Sequence, residues 1–158
     1  MIFLTLGTQL PFDRLTRALD EAAAGADEPV FGQIGKTGYR PAHFEFRDFI
    51  SPAEFAEKFE AARVVVGHAG IGTILSGMRM EKPLILMARR AEFKEHRNDH
   101  QLATVAQMRK IPGIHVVDTA EEIRALLQRP DLPGIKGHEA PARMRLIESL
   151  RAEIFGAA

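Results

Sequence analysis

The stretch that decides the fold is VVVGHAGIGTIL, residues 64–75. It begins with three consecutive valines and runs through His68 into a turn that contains Gly70 and Gly72. A continuous β-branched run of this kind predicts a strand buried on both faces, as the strands of a parallel sheet are. The apolar spacing after the turn predicts a helix from about Gly72 to Met80. A buried strand followed at once by a helix is typical of an α/β protein.

Strands and helices alternate along the rest of the chain in the same way. Short apolar runs predict strands over residues 1–6, 29–34, 44–50, 63–67, 83–88 and 114–117. Helical spacing and capping residues predict further helices over residues 12–24, 51–62, 100–109, 119–128 and 142–155. This alternation predicts a Rossmann-like, doubly wound parallel sheet, which binds its ligand where loops leave the carboxyl ends of the strands.

The composition limits the number of domains and the classes of partner. A chain of 158 residues suits one compact domain, so we expect a single domain over residues 1–158. The 21 basic and 21 acidic side chains cancel, so no overall charge attracts the chain to nucleic acid or anionic lipid. The absence of cysteine is typical of a reducing compartment, so we expect a cytoplasmic protein. No apolar stretch approaches the ~20 residues of a membrane span, and the N-terminal run lacks the basic residues of a signal peptide.

The glycine turn after the valine strand has the features of a phosphate site. A strand that turns abruptly into a helix leaves unpaired backbone N–H groups, which together with the helix dipole favour an anion. Gly70 and Gly72 allow a ligand to approach the backbone closely, and Thr73 adds a hydroxyl group. The turn is not a dinucleotide fingerprint, because Leu75 occupies the third glycine position, and no Gly-Lys-Ser/Thr of a P-loop follows. A tight, closely packed turn without a ligand is the alternative interpretation.

Two further loops are expected beside this turn. Gly7, Thr8 and Gln9 follow the first predicted strand, and the charged segment 89–101 follows the strand over 83–88. In a parallel sheet all three loops open on one edge, so we predict a nucleotide-type site there. The polar residues expected to contribute from the charged segment are Arg89, Arg90, Asn98, Asp99, His100 and Gln101.

His68 and Ser76 are further residues expected at the donor site, but both also have simpler interpretations. A histidine at a strand end, such as His68, is more often a structural hydrogen-bonding group than a catalyst. Ser76 lies one turn into the predicted helix, where a serine bonds back to the helix as readily as it contacts a ligand. His96 and His100 suggest a metal ion, but no acidic cluster accompanies them, so we predict no metal site.

Three segments together resemble a known family. They are IFLTLGTQLPFDRL, VVVGHAGIGTIL and KPLILMARRAEFKEHRNDHQLA, at residues 2–15, 64–75 and 82–103. In this order they resemble the donor-binding C-terminal half of the MurG-like glycosyltransferases of family 28. They are more closely similar to the small subunits of two-component bacterial exopolysaccharide glycosyltransferases, the PssE-like proteins, and to the eukaryotic dolichol-linked N-acetylglucosaminyltransferase subunit. The resemblance covers nearly the whole chain and implies the fold of the C-terminal half of a GT-B enzyme.

The resemblance implies a role for each loop in binding a UDP-sugar. It places residues 7–9 near the diphosphate, residues 70–73 around the nucleotide and phosphates, and His100 with Gln101 at the donor sugar. The glutamate that binds the ribose in many relatives is replaced here by Ser76.

Ribose binding therefore needs another residue, and we expect Glu95 or Asp99 to replace that glutamate. The resemblance assigns no catalytic residue to this chain. It implies instead that a membrane-attached partner subunit supplies the lipid-linked acceptor and the general base, which would place this chain peripherally at the inner face of the membrane. It also implies that no metal ion or other cofactor is bound.

The function expected from these observations is inverting sugar transfer from a UDP-sugar to a lipid-linked polysaccharide intermediate, by this chain and its partner together. A cation near the donor sugar suggests a uronate, hence glucuronosyl transfer, because arginine binds carboxylates well. The cations available are Arg89, Arg90, Lys94 and Arg97. Two alternatives stay open: a non-catalytic stabilising subunit, and a self-sufficient nucleotide-binding enzyme such as an oxidoreductase.

Overall fold

The computed structural model describes residues 1–7, 10–36, 38–95, 98–136 and 148. The strands are β1 Ile2–Thr5, β2 Val30–Gln33, β3 Glu45–Arg47, β4 Val64–His68, β5 Leu84–Met87 and β6 Ile114–Val116. The helices are α1 Asp13–Ala23, α2 Pro52–Ala61, α3 Ile71–Met80, α4 His100–Met108 and α5 Ala120–Leu127, with a short 3₁₀ helix at Ala91–Phe93. The predicted helix over 142–155 lies outside the described residues except for Glu148, so it stays a prediction.

The six strands form one parallel sheet in the order β3-β2-β1-β4-β5-β6. This confirms the predicted doubly wound fold. The chain reverses the direction in which it adds strands between β1 and β4, and ligands of such sheets bind at this switch point. Thr5 is paired with Gly67, and His68 with Met87. The ends of β1, β4 and β5 therefore lie side by side at the carboxyl edge.

The valine run is buried on both faces of the sheet, as its sequence predicts. Val64 and Val66 belong to the apolar layer that α1 and α5 cover, together with Leu15 and Ile123. Val65 belongs to the opposite layer, where residues of α2 and α3 pack against it. Burial of this strand between two helical layers fixes the position of its carboxyl end, because a slip by one residue would reverse which valines face each layer.

The third strand is shorter than predicted and ends at Arg47. The carbonyl of Asp48 accepts hydrogen bonds from the Gly35 N–H at 2.8 Å and from the Gln33 side-chain amide at 3.0 Å. Since Gln33 belongs to the neighbouring strand, these bonds hold the chain where it leaves the sheet. The residues that follow Asp48 turn towards the carboxyl edge and contribute to the site described below.

A buried carboxylate on α1 holds the loop that precedes β3. Asp20 accepts hydrogen bonds from the Tyr39 hydroxyl at 2.6 Å and from the backbone N–H groups of Ala42 and His43 at 3.0 and 2.8 Å. Burial raises the pKa of Asp20, but these hydrogen bonds and the nearby His43 outweigh burial and leave the pKa below its usual range. The carboxylate is therefore ionised at neutral pH and anchors this loop.

No helix in the described part of the chain is long and apolar enough to cross a membrane.

Candidate functional site

A cavity of about 520 Å³ opens at the carboxyl edge of the sheet. The segments that follow β1, β3, β4 and β5 and the start of α3 all contribute to its wall. Of the predicted site residues, the cavity is lined by Gly7, His68, Gly70, Gly72, Thr73, Ser76, Arg89 and Gln101. The structure therefore brings most of the predicted residues together at the switch point of the sheet.

The imidazole of His68 is seated between two glycines. A methyl group on Gly70 would lie 2.2 Å from Cε1 of His68, far inside contact distance. On the other side, Gly7 has a φ of +74°, and a methyl group there would lie 3.0 Å from Nε2 of His68. A side chain at Gly70 would displace the ring, and at Gly7 the left-handed backbone favours glycine in addition to the close contact. Packing around His68 thus explains Gly70, for which the sequence suggested close approach of a ligand, and Gly7, which the resemblance placed near the diphosphate.

Gly72 differs from these two glycines. It lies in the first turn of α3 and lines the cavity, and no described atom beyond its own helix and chain neighbours lies within 4 Å of the place where a methyl group would be added. No contact among the described residues requires glycine at this position. Gly72 is therefore the glycine at which the expected approach of a ligand to the backbone remains the better explanation.

Gln101 sets the tautomer of His68. Its Oε1 accepts a hydrogen bond from the backbone N–H of Arg89 at 3.0 Å, so its amide nitrogen faces Nδ1 of His68, at 3.1 Å. An amide nitrogen can only donate, so Nδ1 accepts and a ring proton lies on Nε2. The hydrogen bond to Gln101 therefore fixes the orientation of a ring that lines the cavity.

The amino end of α3 faces the cavity. Its N-cap residue is Gly70, which provides no side-chain cap, and no acidic residue lies in the first turn. The first N–H groups of a helix have no partner within the helix, and the helix dipole adds partial positive charge at this end. Ile71, Gly72 and Thr73 of this turn line the cavity, and Ser76 lines it one turn further on. The arrangement matches a site for a phosphate group.

The charges around the cavity also favour an anion. None of the described residues that line it is an aspartate or a glutamate, and Arg89 is the one lysine or arginine among them. Within the described residues, no three histidine or carboxylate side chains cluster as ligands of a metal ion would. These side chains suit a ligand that is itself negatively charged, and they include no carboxylate to act as a general base.

One part of the cavity wall is apolar and was missed by reasoning from the sequence. It consists of Phe49, Ile50, Pro52 and Phe55 at the β3–α2 junction, and the Phe49 side chain is 48% exposed. Gln33 sets this junction beside the loop after β1, because its amide donates to the carbonyls of Gly7 and Asp48 at 3.2 and 3.0 Å. The signal in the sequence is an apolar pair, Phe49 and Ile50, directly after a strand end.

Three predicted site residues do not line the cavity. The Arg90 guanidinium pairs with Asp118 at 3.1 Å and with Glu92 at 3.5 Å, and Asp99 accepts a hydrogen bond from the Ala91 N–H at 2.9 Å. Asn98 is described but does not line the cavity either. The structure therefore does not bring these three residues into the cavity wall, and their predicted contact with the donor stays a prediction. Arg90 and Asp99 have their partners in and beside the 3₁₀ helix and at Asp118.

The carboxylates expected to replace the ribose-binding glutamate are also engaged elsewhere. Glu95 pairs with Arg14 through two hydrogen bonds of 3.0 and 2.9 Å and also accepts the Arg90 N–H. Neither Glu95 nor Asp99 lines the cavity. The structure thus gives no support to either residue as the substitute, and Ser76 alone occupies the corresponding place. Outside the described residues lie Thr8, Gln9, His96, Arg97 and the side chain of His100.

Comparison with known proteins identifies what the fold resembles. Residues 1–126 match the glycosyltransferase family 28 C-terminal domain. The structure is similar to MurG of Acinetobacter baumannii, with a TM-score of 0.63 and 17% identity over 94% of this chain and 49% of that one. It is also similar to ALG13, with a TM-score of 0.62 and 17% identity over 92% of this chain and 93% of that one.

A third similar structure is the glycotransferase of kitacinnamycin, with a TM-score of 0.60 and 21% identity. The match covers 96% of this chain and 38% of that protein. The chain therefore spans about half of MurG and just over a third of the kitacinnamycin enzyme, but most of ALG13. No curated protein sequence is significantly similar to the chain. At these identities the three structures show a shared fold.

The packing of His68 predicts that alanine lowers the stability of the domain at Gly70 but not at Gly72. We expect Gly70→Ala to lower the free energy of unfolding by about 1–3 kcal/mol, because the methyl group displaces the imidazole. Gly72→Ala serves as the control and is expected to cause no loss, because its methyl group meets no atom within 4 Å. Adding His68→Ala to Gly70→Ala removes the clash and should recover part of the loss. Urea unfolding at pH 7 measures the wild type and all three variants, and equal stability of Gly70→Ala and Gly72→Ala would contradict this packing.

Proposed function

The chain belongs to the glycosyltransferase family 28 C-terminal domain family, and on that premise we propose that it is the UDP-sugar-binding domain, over residues 1–158, of an inverting glycosyltransferase. The observation that carries the proposal is the cavity at the switch point of the sheet. The amino end of α3, which has no side-chain cap, contributes to the wall of this cavity, and none of the described lining residues is acidic. That combination suits the diphosphate of a nucleotide sugar.

The two walls of the cavity correspond to the two parts of a UDP group. One wall carries the start of α3, the Gly7 turn and the His68 donor, which suit the diphosphate. The other wall is the apolar one around Phe49 and Phe55, which suits a flat base ring. The volume of about 520 Å³ lies within the range of small-molecule sites, about 300–1,000 Å³. Size and polarity therefore both support a nucleoside diphosphate.

The amino end of α3 would assist the departure of UDP. Negative charge grows on the diphosphate as the glycosidic bond to the sugar breaks, and fixed N–H groups and the helix dipole stabilise that charge without having to reorganise. No carboxylate among the described lining residues is placed to deprotonate an acceptor. In this proposal a membrane-attached, acceptor-binding partner supplies the general base and the lipid-linked acceptor, as the PssE-like resemblance implies.

The partner surface in this proposal is the rim of the cavity. Leu10 and Phe49 lie on that rim and are 42% and 48% exposed, which is unusual for large apolar side chains of a domain otherwise well packed. A partner that covers the rim would bury both side chains and exclude water from the donor. The chain would then work at the membrane surface through its partner, in the synthesis of an exopolysaccharide.

The sugar proposed for transfer is a uronate such as glucuronate. Four cations were expected to bind the uronate carboxylate. Two of them do not line the cavity: Arg90, which pairs with Asp118 and Glu92, and Lys94. Arg89 does line it, and Arg97 lies outside the described residues. The proposal of a uronate therefore depends on Arg89 or Arg97.

Nucleotide binding is tested most cleanly at Gly72. Gly72→Val adds bulk to the cavity at the start of α3, where an added Cβ meets no described atom within 4 Å beyond its own helix and chain neighbours, so we expect it to abolish UDP binding while the domain stays folded. Gly70→Val is less suitable, because its side chain would first collide with His68. The matched control is Ala103→Val on the exposed face of α4. Isothermal titration with UDP measures the affinity, and undiminished binding by Gly72→Val would contradict the assignment of the cavity.

Sugar transfer requires the partner in this proposal. We expect no transfer by the chain alone, and transfer from one member of a panel of UDP-sugars when it is co-expressed with a candidate acceptor subunit encoded beside it. UDP-glucuronate is expected to be preferred to UDP-glucose. Leu10→Asp should abolish co-purification, whereas Phe93→Asp should not, because Phe93 is 54% exposed but lies away from the cavity.

The same assay separates the alternatives. If the partner transfers sugar equally well with the Gly72→Val chain, then this chain is a stabilising subunit and not the donor site. Turnover of a nicotinamide cofactor by the chain alone would instead indicate a self-sufficient oxidoreductase.

A further inference from the structure

Arg89 connects two of the loops that form the cavity. It follows β5 and is only 3% exposed. Its Nη2 donates hydrogen bonds of 2.7 Å to the carbonyls of Leu6 and Leu10, which lie on either side of the loop after β1. Its guanidinium also lies over the ring of Phe12, 5.3 Å from the centre. The side chain therefore holds the β1–α1 loop against the end of β5.

The charge of Arg89 has no counter-ion of its own in the described part of the chain. The salt bridges found there do not include Arg89, and its Nε is shielded from solvent without a hydrogen-bond partner. Burial lowers the pKa of Arg89 to about 10, and the charge of Glu95 opposes this shift. The group is still protonated at neutral pH. A buried charge without a counter-ion is costly, and an anionic ligand would offset that cost.

The neighbouring arginines differ in this respect. The guanidinium of Arg14 also lies over the ring of Phe12, 5.4 Å from its centre, but it forms a bidentate salt bridge with Glu95. Arg90 has two carboxylate partners, Asp118 and Glu92. Neither of them lines the cavity, whereas Arg89 does. Arg89 thus combines burial, absence of a carboxylate partner and a place in the wall of the cavity.

We propose that Arg89 gives the cavity its selectivity for a diphosphate over an uncharged nucleoside, by holding the β1–α1 loop in place and by supplying a buried positive charge that the ligand completes. This inference deepens the proposed function and rests on it. Arg89 acts in part through the loop and is a positioning residue. The selectivity arises because the diphosphate brings two negative charges to a site whose described lining residues offer none.

The test compares the affinities for UDP and for uridine in matched variants. Arg89→Gln and Arg89→Met remove the charge, Arg89→Lys keeps it, and Arg90→Gln removes an equal charge outside the cavity. We expect the two uncharged Arg89 variants to bind UDP about ten-fold more weakly or worse, which is about 1.4 kcal/mol, and uridine within about two-fold of the wild type. Arg89→Lys should keep most of the UDP affinity, and Arg90→Gln should keep all of it. Isothermal titration gives both constants, and either uncharged variant suffices if the other does not fold.

Two results would overturn the inference about Arg89. Equal weakening of UDP and uridine binding would mean that the side chain only holds the loop. Weakening of UDP binding in Arg90→Gln by the same factor would mean a general effect of net charge.

Inorganic pyrophosphate separates this inference from the proposed function, because it carries the charge of a diphosphate without the base. A rise in Tm with pyrophosphate that is lost in Arg89→Gln supports the role of Arg89 even if the wild type does not bind UDP. If neither pyrophosphate nor UDP acts on the wild type, both proposals are wrong, whereas unchanged UDP binding by Arg89→Gln removes this inference alone.

Discussion

The seating of the His68 imidazole between Gly7 and Gly70 is the contact on which the rest of the site depends. A methyl group on Gly70 would lie 2.2 Å from the ring, so the present position of the imidazole requires glycine at residue 70. Gly7 belongs to the loop after β1, while His68 and Gly70 belong to the end of β4 and the turn into α3. One ring therefore sets the spacing between two neighbouring loops at the carboxyl edge of the sheet.

Hydrogen bonds extend this constraint to the other loops. Gln101 joins His68 to the backbone of Arg89, and the Arg89 guanidinium joins β5 to the loop after β1. Gln33 joins the same loop to the β3–α2 junction. These hydrogen bonds fix segments that line the cavity and so organise the site before a ligand arrives, although Nε of Arg89 has no hydrogen-bond partner among the described residues. Such preorganisation is what stabilisation of a leaving diphosphate requires.

The sequence predicts those features that depend on local patterns. The valine run predicted a doubly buried strand, and the alternation of strands and helices predicted the parallel sheet whose loops share one edge. The positions of Arg90 and Asp99 could not be predicted from local patterns. Their partners, Asp118 and Ala91, lie 28 and 8 residues away in sequence and come close only in the folded chain. The apolar wall at Phe49 was missed for a related reason. The chain leaves β3 at Asp48, whose carbonyl accepts a hydrogen bond from the Gln33 side chain, and this long-range contact is not visible in the local pattern.

The central claim is that Gln101 holds the His68 ring, with its proton on Nε2, in the wall of a proposed diphosphate site. The direct measurement is a two-bond proton–nitrogen correlation spectrum of the histidine rings, with the His68 signals assigned by their loss in His68→Gln. The account predicts that at neutral pH the His68 proton lies on Nε2 and that saturating UDP shifts the Nε2 resonance. A proton on Nδ1, or an Nε2 resonance that does not change when UDP is bound, would contradict it.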